Sequence, residues 1–114
     1  MLLDVLKALA DASRLRLVAI LLRGEFTVQE LTAILAMGQS RISRHLKILT
    51  EVGVLSVKRQ GTWRYYRASS ESPFFHAIRP VLEQELETLP EREKDLAPIA
   101  AVLEARRQRS RLFF

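Results

Sequence analysis

The sequence predicts a mostly α fold carrying a small β-hairpin. Three observations predict it. Apolar residues recur at helical spacing in six stretches set apart by Gly, Pro and capping residues. Two short runs rich in β-branched and aromatic residues flank one glycine-containing turn. The length of 114 residues, 48% of them hydrophobic, allows one modest core.

The elements follow in chain order. Leu2 to Ala10 is apolar at 2, 3, 5, 6, 9 and 10, which suits a short buried helix. Asp11 or Ser13 can cap the next helix, Arg14 to Arg23, which places Leu15, Val18, Leu21 and Leu22 at helical spacing and stops at Gly24. Thr27-Val-Gln-Glu30 is a capping box, and the helix it opens buries Val28, Leu31, Ile34 and Leu35. Ala36 to Gly38 is a tight turn. Gly38 caps a fourth helix that runs to about Val52, with Gly53 as its stop. Val54 to Val57 and Trp63 to Arg67 read as a hairpin around Arg59-Gln-Gly-Thr62. Ser69 to Pro73 is a turn-rich joint. Phe74 to Leu89 is a long amphipathic helix with Pro80 as a kink, and Pro90 breaks it. A last helix covers Asp95 to Leu112, with Pro98 in its first turn. Residues 1–89 then form one unit, and residues 90–114 form a C-terminal helix or linker.

Charge is segmental. The chain has 18 Lys+Arg against 13 Asp+Glu, a formal net charge of +5. Residues 1–38 balance at four of each sign. From Gln39 to Arg67 there are seven basic residues and one acidic residue, Glu51, a net +6. From Ala68 to Glu104 the balance is −5. A basic stripe confined to the fourth helix and the hairpin points to a polyanion partner. No apolar run approaches the roughly 18 residues of a membrane span, and the first residues lack a secretion leader, so the expected setting is cytoplasmic, with no membrane partner. The chain has no cysteine, which removes disulfides and thiolate metal sites.

Two short helices about the Met37-Gly38 turn, followed by a basic hairpin, have the order of a helix-turn-helix with a wing. At about 100° per residue, Ile42, Leu46 and Leu49 share one narrow arc of the fourth helix. Ser40, Arg44 and Lys47 fall opposite, with Arg41 flanking them. A helix seated by one face and offering short polar and basic groups on the other suits the major groove. The candidate DNA-binding residues are Gln39, Ser40, Arg41, Arg44 and Lys47 on the helix, and Lys58, Arg59 and Arg64 near the hairpin tip. Alternation sets Trp63 and Tyr65 on one face of their strand, Arg64 and Tyr66 on the other.

These residues resemble the ArsR/SmtB winged-helix repressors. The resemblance covers roughly residues 2 to 68. It rests on Asp11-Ala-Ser-Arg-Leu-Arg-Leu17, Val28-Gln-Glu-Leu31, Gln39-Ser-Arg-Ile-Ser-Arg-His-Leu-Lys-Ile-Leu49, Gly53-Val-Leu55 and Arg59-Gln-Gly-Thr-Trp-Arg-Tyr-Tyr-Arg67. It implies a homodimer paired through the first and the long fifth helices. It also implies a double-stranded DNA operator read through Gln39, Ser40, Arg41, Ser43 and Arg44 with Lys47 behind them, a repressor released by a small-molecule effector, and a mainly structural role for His45 and Leu46. The departures bear on the effector. The family's metal sensors place two cysteines where this chain has Thr27 and Gln29. The fifth helix holds a single histidine, His76, where other members pair several donors. No metal site and no cofactor are therefore expected. Ala36 stands where Gly is usual, and Gly38 where a capping Ser is usual.

The tail, Asp95 to Phe114, resembles the linker helix that precedes an S-adenosylmethionine-dependent methyltransferase domain in fused members. This implies a piece of a longer protein and an S-adenosyl compound as effector, sought in a cleft between the first, fifth and last helices. The alternative is a complete chain whose last helix packs on the dimer and buries Phe113 and Phe114. The four glycines are dispersed and no nucleophile stands near a histidine, so the chain itself is not expected to be an enzyme. Two alternatives remain beside the regulator: the N-terminal regulatory part of a methyltransferase, and a winged helix that binds proteins.

Overall fold

A computed structural model describes residues 2–69 and 72–113. The expectations for residues 70–71 of the joint and for the Phe113 and Phe114 side chains lie outside what is described. Among the described residues, six helices and one hairpin follow in the order α1 (Leu2–Leu9), α2 (Ala12–Leu21), α3 (Val28–Leu35), α4 (Gln39–Glu51), β1 (Leu55–Gln60), β2 (Trp63–Ala68), α5 (Pro73–Leu86) and α6 (Arg92–Phe113).

The core lies between α2, α3 and α4. Leu17, Val18, Leu31, Ile42, Leu46 and Leu49 are fully buried there. Phe26 and Phe75 close it from the wing side and from α5. The caps are made as the residue types dictate. Asp11 accepts from the Arg14 amide at 3.0 Å and opens α2. Thr27 Oγ1 accepts from the Glu30 amide at 3.2 Å while Glu30 Oε1 accepts from the Thr27 amide at 2.9 Å, so the expected capping box forms. α4 ends in a Schellman motif. Gly53, at φ +83°, donates to the Thr50 carbonyl at 3.1 Å, and Val54 donates to the Leu49 carbonyl at 3.0 Å.

Ala36 ends α3 in the left-handed region, at φ 53°. A Cβ in that region costs roughly 1–2 kcal/mol. Ala36→Gly therefore raises stability, by about 0.5–1 kcal/mol once the extra freedom of the unfolded glycine is counted. Thermal unfolding checks this, and an unchanged or lowered melting temperature would contradict it.

The hairpin differs from its expected bounds. β1 starts one residue later and runs through Lys58, Arg59 and Gln60 to a two-residue turn, Gly61-Thr62. Gly61 takes φ +64°, which a two-residue hairpin turn requires and a side chain resists. The polar character of Lys58 to Gln60 hides a strand whose groups pair across the ribbon. A further bridge joins Phe26 to Tyr66, with amide-to-carbonyl distances of 2.8 and 3.1 Å. This anchors the wing to the segment before α3.

α5 opens at Ser72, whose Oγ accepts from the Phe75 amide, with Pro73 at its first position. It stops at Leu86, three residues short of expectation. The Thr88 and Leu89 amides bond the carbonyls of Glu85 and Leu86, tightening the chain before Pro90. α6 begins at Arg92, so Pro98 falls in its second turn, where its missing N–H removes a helix bond. α6 packs back on α2 and α3. Ile99 is buried, and Arg16 donates to both Asp95 oxygens at 2.8 and 3.2 Å.

Candidate nucleic-acid interface

α4 is held from beneath and left free above. Ile42, Leu46 and Leu49 are wholly buried, as the angular arithmetic predicts. Gln39, Ser40, Arg41, Ser43, Arg44 and Lys47 are all exposed. Beneath them Arg14 ties three helices together. Its Nε donates to the Ala8 carbonyl at the end of α1, and its Nη1 lies 3.2 Å from His45 Nδ1 on α4. Because the guanidinium can only donate, His45 accepts through Nδ1 and is neutral in this contact. Burial holds the His45 pKa below its ordinary value, with Arg14, Arg41 and Arg44 adding to that and Asp11 opposing it. His45 is thus a packing and hydrogen-bonding residue, as expected.

The cations of the interface differ in how far they are already engaged. Arg41 Nη2 reaches back 3.4 Å to Ser13 Oγ at the start of α2, which keeps its charge but leans it over the helix N-terminus. Among the described residues, Arg44 and Lys47 have no ion-pair partner. On the wing, Arg59 and Arg64 stand directly opposite each other in the strand register. Both are exposed, and neither is paired with an acid among the described residues. Like charges side by side across a ribbon repel, and an anion between them removes that repulsion. Lys58 does not join them. It lies on the other face of the ribbon with Tyr65, 3.7 Å from Glu25, which also faces Arg67 at 3.7 Å. The structure therefore brings six of the expected residues together on α4, sets Arg59 and Arg64 at the wing tip, and places Lys58 apart.

The sequence profile of the arsR family of bacterial regulatory proteins matches residues 11–57, the span from the α2 cap into the first wing strand. An arsenical resistance operon repressor of Bacillus subtilis is 38% identical over 81 residues, covering 70% of this chain and 72% of that protein. The chain belongs to the ArsR family. An arsenic resistance transcriptional regulator of Pseudomonas putida is 47% identical over 70 residues, covering 60% of this chain and 55% of its own length. The chain spans 55% to 64% of the length of three such arsenic-resistance regulators. Among solved structures, the homodimeric winged helix-turn-helix DNA-binding domain of Mb0332 from Mycobacterium bovis superposes with a TM-score of 0.61 at 29% identity. It covers 73% of this chain and 79% of that one.

Within this ArsR-family chain, neither of the two positions that the resemblance matches to the metal sensors' cysteines offers a thiolate. Thr27 is buried as the cap of α3, and Gln29 is exposed beside it. His76 is exposed on α5. Among the described residues, no group of three or more His, Cys, Asp or Glu side chains could hold a metal ion, and no helix is long and apolar enough to cross a membrane.

One residue that braces this region escaped the sequence reading. Arg106 of α6 donates to both oxygens of Glu30 and, at 2.6 Å, to the Glu25 carbonyl. Its guanidinium also lies 5.1 Å from the Phe26 ring centre and 5.3 Å from that of Tyr65. One side chain thus links the last helix, the α3 capping box and the wing. The only sequence signal was an arginine-rich tail, which does not say which arginine turns inward.

Proposed function

We propose that the chain is a DNA-binding transcriptional repressor that acts as a homodimer in the cytoplasm and has no catalytic activity of its own. One observation supports it above the rest. The exposed face of α4 and the wing tip together present four cations, Arg44, Lys47, Arg59 and Arg64, without acidic partners among the described residues. Gln39, Ser40 and Ser43 supply short groups that hydrogen-bond base edges or phosphates. Residues 1–89 form the reading and dimerisation unit, and α6, Arg92–Phe113, braces it.

A single recognition helix reads only a few base pairs. Useful affinity needs two half-sites about one helical turn apart, roughly 34 Å, and hence a dimer. The surface offers a face for one. Leu2, Leu3 and Leu6 of α1 are 53%, 61% and 49% exposed, and Val81 of α5 is 62% exposed. In α1 the three leucines share one side of the helix, within an arc of about 100°. Such apolar groups on the helices that the family pattern pairs are expected to meet their copies. The double change Leu3→Glu with Leu6→Glu should halve the mass seen by light scattering and abolish operator binding while the helical spectrum persists. A dimer that survives it overturns this interface.

A mobility-shift titration against an inverted-repeat operator, repeated at several salt concentrations, tests the function. Binding that weakens steeply with salt supports the repressor. Binding to a protein that is insensitive to salt, with no affinity for DNA, supports the interaction module instead. The S-adenosyl effector rests on the tail resemblance alone, and thermal-shift titrations with S-adenosylmethionine and S-adenosylhomocysteine decide it. With no cysteine in these 114 residues, thiolate capture of arsenic is not available to them.

A further inference from the structure

The last helix does form a cleft, but against α2 and α5 rather than α1. Its volume is about 280 Å³. The floor is apolar, from Ile20, Leu22, Leu86 and Ile99. The rim is charged in an uneven way. Asp95 is taken up by Arg16, and Glu83 by Arg79 at 2.8 Å. That leaves Glu87, among the described residues, as the one carboxylate for two guanidiniums, with Arg23 at 3.7 Å and Arg92 at 2.5 Å. Although Glu87 Oε2 is close to Arg92 Nε, the N–H is not aimed at it, and this buried donor has no hydrogen-bond partner among the described residues. Two forks of five donors each thus share one acceptor group over an apolar floor.

We propose that this cleft binds a small organic monoanion, a carboxylate on a branched or aromatic hydrocarbon. The carboxylate displaces that of Glu87 from between the two guanidiniums and accepts from Arg92 and Arg23 in its place, and the hydrocarbon lies on Ile20, Leu22 and Leu86. Charge-assisted bonds to a carboxylate fix the ligand's orientation, and the floor supplies burial. A neutral ligand leaves the donors unanswered, and a cation is repelled by them. At about 280 Å³ the cleft lies just below the usual range for ligand sites, roughly 300 Å³ upward, so the ligand is small. Occupation wedges α5 and α6 away from α2, the helix under the α4 N-terminus. Its role as an effector rests on the repressor reading; its binding does not.

Titration calorimetry with phenylacetate, its neutral counterpart phenylacetamide and the cation phenethylamine tests the site. Phenylacetate is expected to bind, and Arg92→Gln to weaken it by about 10- to 100-fold, the usual worth of charge-assisted bonds. Ala19→Leu, which narrows the cleft from α2 without altering charge, is expected to weaken it too while the melting profile keeps its shape. Three results overturn the inference: equal binding of acid and amide, no binding of the acid at millimolar concentration, or binding unchanged in both variants. Binding of S-adenosylhomocysteine without the acid overturns it as well. A chain that binds operator but no acid refutes the site and spares the repressor. One that binds the acid but no operator does the reverse.

Discussion

Arg44→Ala lowers operator affinity by about 1–3 kcal/mol and relaxes discrimination at the base pair that Arg44 reads. The magnitude follows from its setting. Arg44 lies in the second turn of α4, exposed, with Ile42 and Leu46 beneath fixing the helix rotation. Among the described residues it has no acidic neighbour to give up on binding, so nothing offsets the bonds it makes to a base. The wing behaves differently. Arg59→Ala with Arg64→Ala weakens binding to all sequences alike and lowers the salt slope by about 2, one for each phosphate that the variant leaves unneutralised. Lys58→Ala has a smaller effect, because Lys58 already faces Glu25 on the opposite side of the ribbon. Mobility shifts at several salt concentrations, on cognate and scrambled operators, separate these outcomes. An Arg44→Ala protein that retains full specificity would show that α4 is not the reading helix.

Most of the geometry of this candidate interface was legible because its signals are local. A capping box, a three-residue turn and a narrow apolar arc each need only neighbouring residues, and α3, α4 and their exposed face followed. The wing was half legible. Alternation placed Trp63 and Tyr65 on one face correctly, yet the register depends on which residues make the turn. Only the two-residue turn at Gly61 sets Arg59 opposite Arg64 and turns Lys58 away. The tail was the least legible part. Its helix was visible, but where it docks depends on pairs of residues far apart in the chain. Arg16 with Asp95 and Arg106 with Glu30 are separated by more than seventy residues. No periodicity reveals such pairs. The cleft under the last helix lies against α2 rather than α1 for the same reason.

The second large effect falls on stability. Glu30 holds two structures at once, and its side chain is only 13% exposed. Its Oε1 accepts from the Thr27 amide, and both oxygens accept from Arg106. Glu30→Ala removes one cap bond, worth about 1 kcal/mol, and leaves a partly buried guanidinium short of its main acceptor, worth about 1–3 kcal/mol more. At about 4 °C or more per kcal/mol for a domain of this size, the melting temperature falls by roughly 10 °C. Arg106→Gln separates the two parts, because it spares the cap and removes only the clamp on Phe26 and Tyr65. A double-mutant cycle should return a coupling of about 0.5–3 kcal/mol, and a coupling near zero would mean that the α6 clamp adds nothing. The pH dependence gives an independent reading. Burial pushes the Glu30 carboxyl up, but Arg106 and the Thr27 amide more than offset it, so its pKa is below the usual carboxylate range. Glu30 therefore contributes its full stabilisation above the ordinary carboxylate value, about 4.3, and loses it as pH falls through the lower folded-state value. Across that window the unfolded chain binds more protons than the folded one, so stability rises with pH. Glu30→Gln, which cannot ionise, flattens that rise, whereas a slope as steep as the parent's would place the titrating group elsewhere.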